Sequence, residues 1–310
     1  MLAASLATLL FCFSAIAATR SARLMGGTEA NFWRLSLACF FLGLWAYSAG
    51  TGPGGAAFAL FWVSGLVGFG VGDVALFQAL PRLGSRLTSL LVHCLAAPMA
   101  AVAEWAWMGT RLTWTEMALS SLILGGVALA LAPGERLHLP RRVFWIGLAS
   151  GVLAALGQGM GAVISRRAFA VAAAAGESVD GLSAAFQRSL GGMLVAAVAL
   201  LVVKRQHLWG RWDEPAGAGF TQWRNKWQGS WGWVVLNALT GPFLGVGCFQ
   251  WALKTTPSGI VLPIVATMPV VIIPLAVWLE GEKVSRRSLA GGVVAVAGVA
   301  LMAWWRSQPT

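Results

Sequence analysis

Long apolar stretches follow one another along the chain with scarcely any polar segment between them. Cut at charges and at Gly/Pro clusters, they fall at residues 2–19, 30–48, 57–80, 87–108, 114–132, 143–164, 183–203, 231–253, 258–279 and 288–305. Each approaches the roughly 20 residues that an α-helix needs to cross a bilayer. Lipid offers no water to satisfy bare backbone, so a spanning segment is either a helix or a strand of a closed barrel. Barrel strands alternate apolar and polar positions, and these runs do not. The pattern predicts an all-α integral membrane protein of about ten transmembrane helices.

Composition agrees with this. Of the 310 residues 58% are hydrophobic and 11% charged, with a mean hydropathy of +0.73, whereas a soluble domain carries about a quarter charged residues. The net charge of +11 does not mark a nucleic-acid binder, because the 22 Lys and Arg sit in short runs between apolar stretches. Cys12, Cys39, Cys94 and Cys248 lie inside those stretches without CxxC spacing, and read as small buried hydrophobes rather than disulfides or metal ligands. Residues 2–18 end in an A-x-A sequence, Ala15 to Ala17. Their charges, Arg20 and Arg23, follow the apolar run instead of preceding it, which predicts a first membrane helix rather than a signal peptide.

The chain repeats itself. Phe77-Gln78 returns as Phe249-Gln250, Pro98 as Pro269, and Gly126-Val127-Ala128-Leu129 as Gly298-Val299-Ala300-Leu301, in the same order and at nearly the same spacing. Upstream, Asn31 to Leu35 pairs with Ala185 to Ser189, which makes Arg34 and Arg188 equivalents. The repeats are expected at 1–134 and 141–306, with a linker at 204–230 whose mixture of basic residues and Trp suits the headgroup layer, or a solvated loop. Five helices per half is an odd number, so the second half is expected to be inverted relative to the first. Fifteen Lys/Arg fall in the loops after helices 1, 3, 5, 7 and 9, against Arg111, Arg166, Arg167, Lys254 and Arg306 elsewhere outside the spans. This bias predicts that the odd-numbered loops face the cytoplasm of a multi-pass protein in the cell (inner) membrane.

These residues resemble a known family. Gly72-Asp73-Val74-Ala75-Leu76-Phe77-Gln78-Ala79-Leu80, then Gly84-Ser85-Arg86 and Pro98, look like the third and fourth helices of the EamA-type ten-helix permeases of the drug/metabolite transporter superfamily. Pro269, Gly281-Glu282-Lys283, Gly292 and Gly298 are similar to that family's ninth helix, its GE turn and its tenth helix. The first half departs from the pattern, since Thr110-Arg111 stands where the GE turn would be. The resemblance implies a permease that moves small molecules.

Ionisable residues inside a bilayer are functional candidates by default. Asp73 lies about 10 Å deep beside Gly68, Gly70 and Gly72, and reads as a proton or cation site or as a carboxylate tied to a neighbouring helix. His93 and Glu104, 11 residues apart, share one helix face; they suit a proton path, with Glu104 alternatively an interfacial carboxylate and His93 a packing residue. Arg34 and Arg188 read as side chains snorkelling to the headgroups, or as anchors for an anionic group or for a carboxylate such as Asp73. Gln78, Gln158, Asn237 and Gln250 each need a partner within the bundle or a wet cavity. Pro98, Pro269 and Glu282 serve as markers of the repeat.

Nothing matches GxxxxGK[ST], HExxH, CxxC or GxSxG. The expected partners are the lipid bilayer, a small-molecule substrate, and protons or another coupling ion, with no nucleic acid, nucleotide, cofactor or metal. A secondary transporter with a midplane cavity is the leading expectation, and no enzymatic activity is expected. An intramembrane enzyme would require His93, Asp73 and Glu104 to converge on one centre, and a noncatalytic scaffold would leave the buried polar residues without purpose.

Overall fold

The computed structural model describes residues 1–131, 140–209, 229–271 and 285–308. Among them there is no strand. The helices are α1 (Leu2–Met25), α2 (Gly27–Ser48), α3 (Phe58–Gly65), α4 (Asp73–Met108), α5 (Trp114–Leu131), α6 (Arg141–Ala174) and α7 (Gly181–Trp209). They are followed by α8 (Gly229–Thr255), α9 (Ser258–Val271) and α10 (Arg286–Ser307). Among the described residues eight segments are long and apolar enough to cross a membrane, counting Phe58–Leu76 and Leu87–Met108 separately. Each of the ten expected spans falls on a described helix, the ninth as far as Val271. The linker expected at 204–230 is helical at both ends, since α7 runs to Trp209 and α8 begins at Gly229; its residues 210–228 and the turn containing Glu282 lie outside the described residues.

A break was expected between residues 80 and 87, yet α3 runs through a π-helical segment, Leu66–Gly72, directly into the 36 residues of α4. As one straight rod α4 would be about 54 Å long. Its packing on α6 excludes that. A Cβ on Gly157 would meet Gly72, and one on Gly147 would meet Leu83, so the first limb of α4 runs antiparallel to α6. Gly151 faces Leu91 and Gly159 faces Ala96, so the second limb runs parallel to it. Ala75, Val92 and Ala154 meet in one apolar cluster between the limbs. The chain therefore reverses between Leu83 and Leu91, as two membrane crossings require.

At the crossing of α5 and α10 the halves touch through small residues. Gly126 of α5 lies against Ala295 of α10, and Gly298 of α10 against Ile123 of α5. The two contacts interchange under the same 172-residue shift that carries Gln78 to Gln250, the relation expected of halves about a twofold axis. A second π-helical segment, Leu239–Phe243 in α8, occupies the place in the second half that Leu66–Gly72 holds in the first. In α8 the cause is Pro242, which has no N–H to give to the ladder, so the register slips by a residue. In the first half the corresponding weakness is the glycine triplet 68, 70 and 72.

Candidate functional site

Both π-helical segments open onto one cavity of about 320 Å³ between the halves. It is walled by α1 and α2, the α3–α4 junction, α6, α7, α8 and α9. Arg34, Asp73, His93, Gln158 and Arg188 bring polar groups to it, and Phe11, Phe69 and Phe249 supply aromatic surface. Arg188 and Phe249 mark its inner end, while Ala18, Leu76 and Gly241 extend it towards the odd-numbered loops. A larger depression of about 690 Å³ lies on the outer face between α4, α5 and α9. It is bounded by exposed Val102, Trp105 and Trp114 and carries one charged residue, Arg111. Size does not make it the functional site, because the convergent polar groups are in the smaller cavity.

Asp73 and Arg34 face each other there at 3.5 Å, both mostly buried, and the Arg34 Nε donates to Asn31 Oδ1 at 2.7 Å. Arg188 does not snorkel; it is 4% exposed and points inward. Its guanidinium donates to the Gly161 carbonyl at 3.4 Å and to Ser165 Oγ at 3.2 Å, and lies 4.9 Å from the centre of the Phe69 ring. Ser165 links this group to Ser64 at 2.7 Å and accepts from Gln250 Nε2 at 3.2 Å. Four helices thus share one buried polar network behind Arg188.

The remaining candidates are dispersed. Asn237 accepts from Ser14 at 2.8 Å, joining α8 to α1 beside the cavity. Gln78 is exposed and bonded to Arg82, and does not line the cavity. His93 lines it, whereas Glu104 on the same helix does not. Glu104, near the end of α4, is shielded inside the protein. It is 2% exposed, lies 2.6 Å from Arg166 Nε, and accepts from the backbone N–H of Ser258 at 2.7 Å and from the Ser258 hydroxyl. Arg166 in turn donates to the carbonyls of Leu253 and Thr256, at 2.7 and 2.6 Å. Pro98 is exposed on the outer groove and Pro269 is half-buried.

The Glu104–Arg166 pair belongs to a seam that ties the halves together at the even-numbered loops. Asp180 caps α7, accepting from the N–H groups of Leu182 and Ser183, and also binds Thr51 N–H at 2.8 Å and Trp45 Nε1 at 3.2 Å in the first half. Glu177 accepts from Ala56 N–H, and Gln187 donates to the Gly54 carbonyl. Phe61 and Phe169 pack edge to face beneath, their ring centres 4.9 Å apart. Asp180 and Ser258 stand at helix starts and Arg166 within the last third of α6, and nothing local in the sequence points to the partners they find across the seam.

Burial alone would raise the Asp180 carboxyl, but hydrogen bonds from Ser183 and Thr51 outweigh it and hold the group well below the usual carboxylate range. A depressed folded-state value stabilises the fold fully above the unfolded value of about 4 and is lost as pH falls below it. The melting midpoint of the detergent-solubilised protein is therefore expected to drop between pH 5 and pH 3 by more than that of Asp180→Asn. Equal losses in the two proteins would detach Asp180 from the seam.

A model of the EamA-like transporter family matches twice, over residues 1–132 and 145–304. Among curated proteins, the chain is similar to the probable 4-amino-4-deoxy-L-arabinose-phosphoundecaprenol flippase subunit ArnE of Pseudomonas paraeruginosa (strain DSM 24068 / PA7). The two are 35% identical over 80 residues, which is 26% of this chain and 67% of that one. Among solved structures, one crystal structure of a protein superposes with a TM-score of 0.69 over 99% of this chain and 98% of that chain, at 17% identity. That likeness establishes a common fold.

Proposed function

The chain belongs to the EamA-like transporter family, and from that premise we propose that it is a secondary transporter of small metabolites or amphipathic compounds, working by alternating access in the cell membrane. It is a multi-pass membrane protein of the transporter kind. The observation that carries the finer reading is the cavity between the two halves, with Asp73 and Arg34 paired inside it. Inverted-repeat transporters bind cargo at such a place, with broken helices at the site. The two π-helical segments are interruptions of that sort, each in the same relative position of its half. The seam at the even-numbered loops supplies the closed side, and the cavity extends towards the other. In the orientation expected from the charges, this arrangement is open to the cytoplasm. The separation of Glu104 from Asp73 and His93 favours transport over intramembrane catalysis, which would need the three together.

A second reading, movement of a lipid-linked cargo, is favoured by the outer apolar groove, where Trp105 and Trp114 flank Arg111 and by the flippase subunit among the relatives. Proteoliposomes decide between the two. Accumulation or counterflow of soluble metabolites from a panel, measured with and without a proton gradient, supports the first. Accessibility of a labelled polyprenyl phosphate on both leaflets, with no soluble cargo moved, supports the second. Asp73→Asn is expected to preserve expression while reducing transport severalfold or flattening its pH dependence, since it keeps size and hydrogen bonding but removes the charge that holds Arg34. Unchanged transport with an unchanged pH profile would reduce Asp73 to a packing role.

A further inference from the structure

The cavity holds two guanidinium groups and one carboxylate. Asp73 and Arg34 face each other, and no carboxylate among the described residues lies within ion-pair distance of Arg188. A cation buried to this degree is strongly disfavoured without a counter-charge. Its Nη1 is held by Gly161 and Ser165, while its buried Nε has no hydrogen-bond partner among the described residues. Nη2 occupies space that side chains at positions 68 and 161 would take, 2.5 and 3.1 Å from where their Cβ atoms would stand. The chain thus makes room for the guanidinium and fixes one end of it, and among the described residues no acceptor is bonded to its Nε–Nη2 edge. That edge is the fork which receives the two oxygens of a carboxylate.

From this geometry we propose that the cavity takes monoanionic cargo, a carboxylate on an apolar or aromatic body, with Arg188 as the anchor for the carboxylate. The inference rests on the reading of the cavity as the cargo site. One unmatched guanidinium sets the charge of the ligand at a single negative. Phe69 and Phe249, whose ring centres lie 4.9 and 6.0 Å from the guanidinium carbon, and Phe11, 6.4 Å from Phe249, set the character of the body. A cavity of about 320 Å³ sits at the small end of ligand sites, which suits one ring with a short chain. The network of Ser64, Ser165 and Gln250 holds the guanidinium in place before cargo arrives, so little order is left to impose on binding.

The test is direct binding to the purified full-length protein of three matched sets of probes: benzoate, 4-phenylbutyrate and indole-3-acetate, each beside its amide and the corresponding amine. The carboxylates are expected to bind about tenfold or more tightly than their amides, with the amines weakest. Arg188→Gln is expected to abolish that preference, and Arg188→Lys to retain part of it, with charge kept and the fork lost. The comparison within the wild-type protein stands even where a variant folds poorly. Amides or amines bound as tightly as carboxylates, or a preference that survives Arg188→Gln, would overturn the proposal. So would failure of all nine probes to bind. Counterflow of neutral or cationic compounds in the same preparation would then leave the transporter reading standing and remove the anion anchor alone.

Discussion

Glu104→Gln is expected to lower the stability of the folded protein by about 3–5 kcal/mol, the usual cost of removing one member of a buried ion pair. Glutamine preserves the shape and one acceptor for Ser258, so the change isolates the charge. Arg166 is left 14% exposed, its Nε against a neutral amide where a carboxylate lay at 2.6 Å. The loss spreads because Arg166 also ties down the carbonyls of Leu253 and Thr256 at the end of α8, while Glu104 itself holds the start of α9 through Ser258. Denaturation of the solubilised protein measures the effect. The double variant Glu104→Gln/Arg166→Gln is expected to lose less than the sum of the single changes, since neither charge is then left alone. A loss below about 1 kcal/mol for Glu104→Gln, as found for exposed pairs, or strict additivity in the double variant, would show that the pair does not hold the seam.

The helices were legible in the sequence because a bilayer permits so few alternatives. Every backbone polar group must be satisfied within its own segment, so an apolar run of sufficient length has one outcome, and the ten expected spans fall on helices wherever they are described, the ninth as far as Val271. Their ends were less legible. Arg166 and Arg167 look like the end of a span, yet α6 continues to Ala174. Six of the eight residues that follow the arginines are alanine and favour helix, and Arg166 finds its counter-charge on α4 rather than in water. That partner is 62 positions away in the chain, and no local pattern announces it. Gln78 and Gln250 show the same limit from the other direction. They are equivalents in the repeat, but one is exposed and bonded to Arg82 while the other is buried beside Ser165. Internal symmetry fixes a residue's place on a helix, not the neighbours that the opposite half brings to it. Asp73 was identified from depth and the neighbouring glycines, since an intramembrane carboxylate is costly wherever it stands. Arg188 was a candidate too, left open between snorkelling and anchoring an anion; what the sequence could not show is its pocket, because Gly68 and Gly161, which make it, lie on two other helices.

Gly125→Ala and Gly126→Ala, one residue apart on α5, are expected to have opposite effects. A Cβ at Gly125 meets nothing within 4 Å, so alanine there removes the backbone freedom of glycine and is neutral or stabilising, by up to about 1 kcal/mol. A Cβ at Gly126 would stand 2.5 Å from the backbone nitrogen of Ala295, 2.8 Å from the carbonyl oxygen of Gly291 and 2.9 Å from the Ala295 Cα. All three are backbone atoms, so no side chain can rotate away, and the whole of α10 must move. Without a hydrophobic force between helices in lipid, close packing of small residues supplies much of what holds α5 to α10. Separating them also strains the bond from the Ser288 hydroxyl to the Ala130 carbonyl, 2.8 Å long, further along the same crossing. The expected loss lies at or above the upper end of the about 1–3 kcal/mol typical of overpacking. It is read as a fall in melting temperature and in the monodisperse fraction after solubilisation, with Gly125→Ala at or above wild type in both. Equal behaviour of the two variants would mean that α5 and α10 do not meet at their backbones.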